Sequence, residues 1–128
     1  MNTERLMNIT KARIDQAFQD KEVLKDRLEK NIVIGNLQIT VNAQNFLKEN
    51  NINLDKLLER HKNCDFGTLD ADDIKNNERS ILLKRNYAMS QYIKDGGTAD
   101  NMKDCISIYT YFDKDSKNKT IVMTPYDR

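Results

Sequence analysis

From residue 3 to residue 30, apolar side chains return every three or four positions: Leu6, Met7, Ile14, Ala17, Phe18, Leu24 and Leu28. That spacing gathers them on one face of a helix, and no Gly or Pro interrupts it. Charges of both signs fill the other face. Met7, Ile14 and Leu28 fall on a heptad grid, with Ala17 and Leu24 on its companion seam. Lys21 interrupts the grid and Thr10 the seam, so a strong coiled coil is not expected. The pattern predicts an amphipathic helical extension over residues 1–30. It packs either on its own domain or on a partner, a second copy of the chain included.

The period changes at residue 31. Ile32, Ile34, Leu37, Ile39 and Val41 surround Gly35-Asn36, a pair suited to a hairpin turn, which predicts short strands at 31–34 and 37–41. Asn42 is placed to cap a helix over about 43–50 with Phe46 and Leu47 inward. Asn53 is placed to cap the next, with Leu54, Leu57 and Leu58 as its stripe. Asp70, followed by Asp73 in a capping-box-like position, opens a third over 71–84, expected to bury Ile74, Ile81 and Leu82. The remainder alternates as strands do: Tyr87 to Tyr92, Ile106 to Tyr111, and Thr120 to Thr124. A Gly96-Gly97 loop and a polar Asp113–Lys119 turn connect them into a three-stranded antiparallel meander. The expected fold class is therefore α+β, with a domain over residues 31–128 behind the helical extension.

Composition narrows the function. The chain has 128 residues and a net charge of +1, so no global field draws it to nucleic acid or an anionic membrane. Hydrophobic residues make up 38% and charged ones 32%, which implies a small core and a heavily solvated surface. No apolar run approaches the roughly 20 residues of a membrane span. The first ten residues lack a signal-peptide pattern. Cys64 and Cys105, distant in sequence, read as reduced thiols. The expected location is the cytoplasm of a bacterial host.

Candidate chemistries are few. His61 and Cys64 could be imagined as a base and a nucleophile, but their spacing points more simply to a His that closes a helix C-terminus. Zinc usually takes four ligands, and one His with two distant Cys do not supply them. Asp70, Asp72 and Asp73 read as helix-capping acids. The 113–118 turn has Asn118 where a calcium loop requires Gly. Gly96-Gly97 leads into no phosphate-binding motif. No catalytic residue, cofactor or metal is expected. Lys84, Arg85, Lys114, Lys117 and Lys119 form small basic groups near strand ends, beside Tyr87 and Tyr111, and are candidates for a nucleic-acid contact.

The stretch His61 to Leu69, with Asp65-Phe66-Gly67 inside it and Asp73 and Asn77 after it, carries a resemblance. From about residue 38 to 128 the order of features resembles a family of small proteins carried on bacterial plasmids and integrative elements. These are often labelled plasmid-related or restriction-system proteins. That pattern runs strand, helix, a His followed by Gly-Asp-Trp-Gly, an acidic helix start, then three strands ending in Leu-Pro-x-x-Tyr. His61 matches the His, Cys64 stands at the first Gly, and Asp65-Phe66-Gly67 replaces Asp-Trp-Gly. Ser90, Tyr92, Thr110 and the run Thr120 to Tyr126 fit the strands. A Trp is usual in the second strand, where this chain has Ile106-Ser107-Ile108 after a longer loop.

The resemblance supplies no catalytic residues. It implies a mobile-element setting in which accessory proteins act against host defence. The expected function is thus a non-enzymatic inhibitor of a host Cas or restriction nuclease, of anti-CRISPR or antirestriction type, working by surface occlusion. Phe18, Lys21 and Leu24, then Tyr109 and Tyr111, are the expected contacts. The alternative is a nucleic-acid-binding accessory or regulatory module.

Overall fold

The computed structural model describes residues 32–113, 115 and 117–128. The expected helix over 3–30, with Phe18, Lys21 and Leu24, lies outside the described residues, as does Lys114. The described chain is mixed α+β: strand β1 (Asn36–Ile39), helices α1 (Val41–Glu49), α2 (Leu54–Lys62) and α3 (Ala71–Leu83), then strands β2 (Tyr87–Ile93), β3 (Cys105–Tyr111) and β4 (Lys119–Met123).

The strands form one four-stranded sheet in the order β1-β4-β3-β2. Strands β2, β3 and β4 are antiparallel neighbours, as their alternation predicts. The sheet is nevertheless not a three-stranded meander, because β1 adds to it in parallel beside β4. The expected hairpin around Gly35-Asn36 does not form. Residues 32–35 are irregular and are held from the side by β4 and the residue before it: Asn118 Nδ2 donates to the Val33 carbonyl (2.9 Å) and Thr120 Oγ1 to the Ile34 carbonyl (2.6 Å). Gly35 has φ +66°, and a Cβ there would lie 2.1 Å from the Asn118 carbonyl oxygen. The glycine serves a close approach between segments far apart in sequence. Parallel pairing needs a long crossover, so no local period announces it.

Helix starts follow side-chain caps. Asn53 Oδ1 accepts from the Asp55 amide (2.9 Å) and Asp70 Oδ1 from the Asp73 amide (2.8 Å), as expected. Helix α1 begins earlier than expected, because Thr40 Oγ1 takes the Ala43 amide (3.1 Å). The expected cap, Asn42, instead donates to Asp127 (2.8 Å). On α3, Ile74, Asn77 and Ile81 form the inward stripe. Leu82, one position round the helix, is 50% exposed and not buried as expected.

All three helices pack on one face of the sheet. Two apolar clusters result. Ala43, Phe46 and Leu57 meet Tyr92, Ile106, Ile108 and Val122 in the larger. Ile32, Phe66, Ile81 and Ala88 make the smaller, with Phe112 against it. Strand register puts Ser90, Thr110 and Thr120 on that same face, with Ser90 opposite Ile108 and Thr110 between Ala88 and Thr120.

Candidate functional site

Two regions carry the chemistry the sequence singled out, on opposite faces of the sheet. The His61 block comes first. Helix α2 closes through its backbone: the Cys64 amide bonds to the His61 carbonyl (3.1 Å) and the Asp65 amide to the Arg60 carbonyl (2.8 Å). With Cys64 at φ 62°, this is the left-handed C-terminal closure that usually employs glycine. The expected role of His61 in closing the helix is thereby corrected. Its side chain turns into the core and is fully buried.

There His61 Nδ1 meets Ser90 Oγ at 2.6 Å and Nε2 meets Thr110 Oγ1 at 2.9 Å. Thr110 Oγ1 in turn meets Thr120 Oγ1 at 2.8 Å. The proton directions are determined. Thr120 must donate to the Ile34 carbonyl, which can only accept. Thr120 therefore accepts from Thr110, and Thr110 accepts from His61 Nε2–H. Nδ1 is left to accept the Ser90 hydroxyl proton. The imidazole is neutral, and burial lowers its pKa to about 4. A Ser hydroxyl on an imidazole suggests a nucleophile and its base. Here Ser90, His61 and Thr110 are all sealed from solvent, and no carboxylate orients the ring. The chain is a structural polar seam.

The rest of the block is equally architectural. Asp65 receives Arg60 Nε at 2.6 Å and the Gly67 amide at 3.2 Å, so its carboxyl is held below the ordinary range, chiefly by Arg60. Arg60 lies 4.5 Å over the Tyr92 ring, and Tyr92 Oη donates to the Asp65 carbonyl (2.7 Å). Residues 66–68 clip the outer edge of β2. The Gln91 amide donates to the Phe66 carbonyl, and the Thr68 amide to the Gln91 carbonyl. Gly67, at φ +75°, passes so close that a Cβ would sit 1.9 Å from the Gln91 oxygen. Asn77 performs the same service one step along, donating to the Met89 carbonyl (2.7 Å) and accepting its amide (3.0 Å). The β2 edge is thus occupied at Met89 and Gln91, which blocks strand addition there.

The second region is the opposite sheet face. Alternation and register put Tyr87, Met89, Tyr109, Tyr111, Lys119 and Ile121 on it. The expected contacts Tyr109 and Tyr111 are brought together, and Tyr87 joins them. Ring centroids are 5.4 Å apart for Tyr87–Tyr109, 5.6 Å for Tyr87–Tyr111 and 6.2 Å for Tyr109–Tyr111. Such spacing suits mutually packed aromatic rings. Tyr87 remains 44% exposed and Tyr111 39%. Tyr109 is deeper, so burial raises its phenol pKa, partly opposed by Arg128. Arg128 lies 5.9 Å from the Tyr109 ring and donates to Ser107 Oγ (3.1 Å). Among the described residues no helix covers the tyrosines.

Of the basic candidates, Lys84, Arg85, Lys117 and Lys119 are exposed. Topology brings them to the end of the sheet where Tyr87 pairs with Tyr111 and Tyr111 with Lys119. Tyr87, already expected beside Tyr111 near the strand ends, is set opposite it by the pairing of β2 against β3. Arg128 offered no local signal.

Among the described residues, no group of three or more His, Cys, Asp or Glu side chains could hold a metal, and no helix is long and apolar enough to cross a membrane. An open groove of about 340 Å³, with Phe46, Met102 and Tyr126 beside Asn45 and Glu49, lies between α1 and the C-terminal turn. Comparison with protein-family models, with curated proteins and with solved structures returned no match.

Proposed function

We propose that this chain is a non-enzymatic binding protein whose working surface is the tyrosine face of its sheet. The observation that carries this reading is the gathering of Tyr87, Tyr109 and Tyr111 on a face that no described helix covers. Clustered aromatic anchors with a charged rim are the usual source of affinity in protein interfaces. The hydroxyl–imidazole pair of Ser90 and His61 is spent inside the fold. The plasmid-family resemblance implies the setting, a mobile genetic element in a bacterial host. It also supplies the target class: a host defence nuclease, of Cas or restriction type, inhibited by occlusion.

The test is DNA cleavage by a panel of Cas and restriction nucleases with excess protein. Inhibition of at least one, lost in the Tyr87→Ala/Tyr111→Ala variant, is the expected result. Undiminished cutting across the panel counts against the reading.

A nucleic-acid contact is the second reading. It is favoured by the convergence of Lys84, Arg85, Lys117 and Lys119 on the tyrosine end. It predicts binding of a single-stranded oligonucleotide that weakens steeply between about 50 and 200 mM salt. No shift at low salt removes it.

A further inference from the structure

An antiparallel sheet packed on one face is ordinarily polar on the other. This one is not. Its outward positions carry Tyr87 and Met89 on β2, Tyr109 and Tyr111 on β3, and Ile121 and Met123 on β4. Tyr87 and Tyr111 are exposed and the other four are partly so. Lys119 is the one charged residue at an outward position of the four strands. A contiguous apolar face of this kind marks a surface that something covers.

The chain itself holds a complementary surface. Leu6, Ile14, Ala17, Phe18 and Leu24 share one predicted helical stripe, in the residues that precede the described fold. Those residues join the fold at Ile32. Ile32 is buried in the cluster that contains Ala88, the neighbour of Tyr87, so the junction lies at the end of the sheet where Tyr87 pairs with Tyr111. The lengths agree. As a helix, residues 6–24 span about 27 Å. The seven-residue strands β2 and β3 run about 23 Å. Residues 25–31, extended, reach about 23 Å, enough to round the end of the sheet, since packed layers lie about 10 Å apart.

Resting on the binding-protein reading above, we infer that residues 1–31 dock in cis across the tyrosine face, with Phe18 and Leu24 on the tyrosine rings. The partner of that reading then competes with the chain's own segment for the same tyrosines. Tethering selects this occupant over a second copy, because a segment joined at the rim of the face is present there at millimolar effective concentration. The scarcity of charge on the face selects an apolar stripe over a phosphate backbone.

The experiment uses the full chain, labelled with 13C and 15N. Nuclear Overhauser contacts are expected from the Phe18 ring and the Leu24 methyls to the rings of Tyr87, Tyr109 and Tyr111, in a protein that light scattering finds monomeric. Phe18→Glu/Leu24→Glu should abolish them and shift the amides of Met89, Tyr109, Ile121 and Met123. Contacts to Leu82 and Leu83 on α3, contacts to Met102 and Tyr126 in the groove, contacts that appear only in a dimer, or amides unmoved by the variant each overturn the docking. Against a nuclease that the wild-type chain inhibits, Phe18→Glu/Leu24→Glu should act at about tenfold lower concentration, because the face is free more of the time. Unchanged or weaker inhibition by the variant overturns the competition. Contacts present with no nuclease inhibited remove the binding-protein reading and leave the docking standing; inhibition without the contacts does the reverse.

Discussion

Ser90, Thr110 and Thr120 line one face of the sheet, while Tyr87, Tyr109 and Tyr111 line the other, and β2 and β3 supply residues to both rows. Their environments are opposite. The hydroxyl row is buried and every proton in it has an assigned acceptor, ending on the Ile34 carbonyl. The tyrosine row holds its rings together yet leaves Tyr87 and Tyr111 partly in water. A satisfied buried polar row contributes a unique register and cannot meet a partner. An exposed aromatic row contributes little to folding that a smaller side chain would forfeit, and is available for contact. The residues that look most like a motif are therefore the scaffold, and the less conspicuous tyrosines are the candidate surface.

The largest expected effect breaks the scaffold side. Gly67→Val forces a side chain onto the Gln91 carbonyl at a left-handed backbone position, and should cost about 3 kcal/mol or more in urea unfolding. A change near zero would show that residues 66–68 do not clip β2.

Acid should act next. The unfolded chain binds a proton at His61 near pH 6.5, whereas the folded chain refuses it until about pH 4. Folding stability is thus complete above pH 6.5, falls as pH drops towards 4, and has lost up to about 3 kcal/mol below that. Asp65 and Asp127, held below the ordinary carboxylate range by Arg60 and by the Thr124 amide respectively, add their losses only at still lower pH. Urea midpoints from pH 7 to 4 measure the slope. His61→Gln should flatten it in that window.

Asn77→Ala strips both partners from Met89 and should cost about 2 kcal/mol. It also frees part of the β2 edge, so self-association by light scattering should rise. On the other face, Tyr111→Ala should cost only about 1 kcal/mol, the worth of its ring contacts. A loss as large as that at Gly67 would erase the contrast between the two faces.

Much of this was legible in the sequence, and the rest has a physical reason for escaping. Strands β2, β3 and β4 showed in their alternation, and the caps Asn53 and Asp70 in their residue type and place. Tyr109 and Tyr111 stand two apart on one strand, so their shared face was readable. The parallel strand β1 was not, because its partner lies across the whole helical crossover. His61 was misjudged because its ring partners are 29 and 49 residues away, at Ser90 and Thr110. A faint signal existed: Ser90, Thr110 and Thr120 are polar residues at inward positions of their strands, and a buried polar row requires a shared partner.

The 15N spectrum of the His61 imidazole, followed against pH, decides whether this ring is scaffold. A neutral ring protonated at Nε2, accepting at Nδ1 and titrating near pH 4 is the expected result. A ring that titrates near 6.5, or carries its proton on Nδ1, would contradict it and return the His61 block to the list of working chemistry.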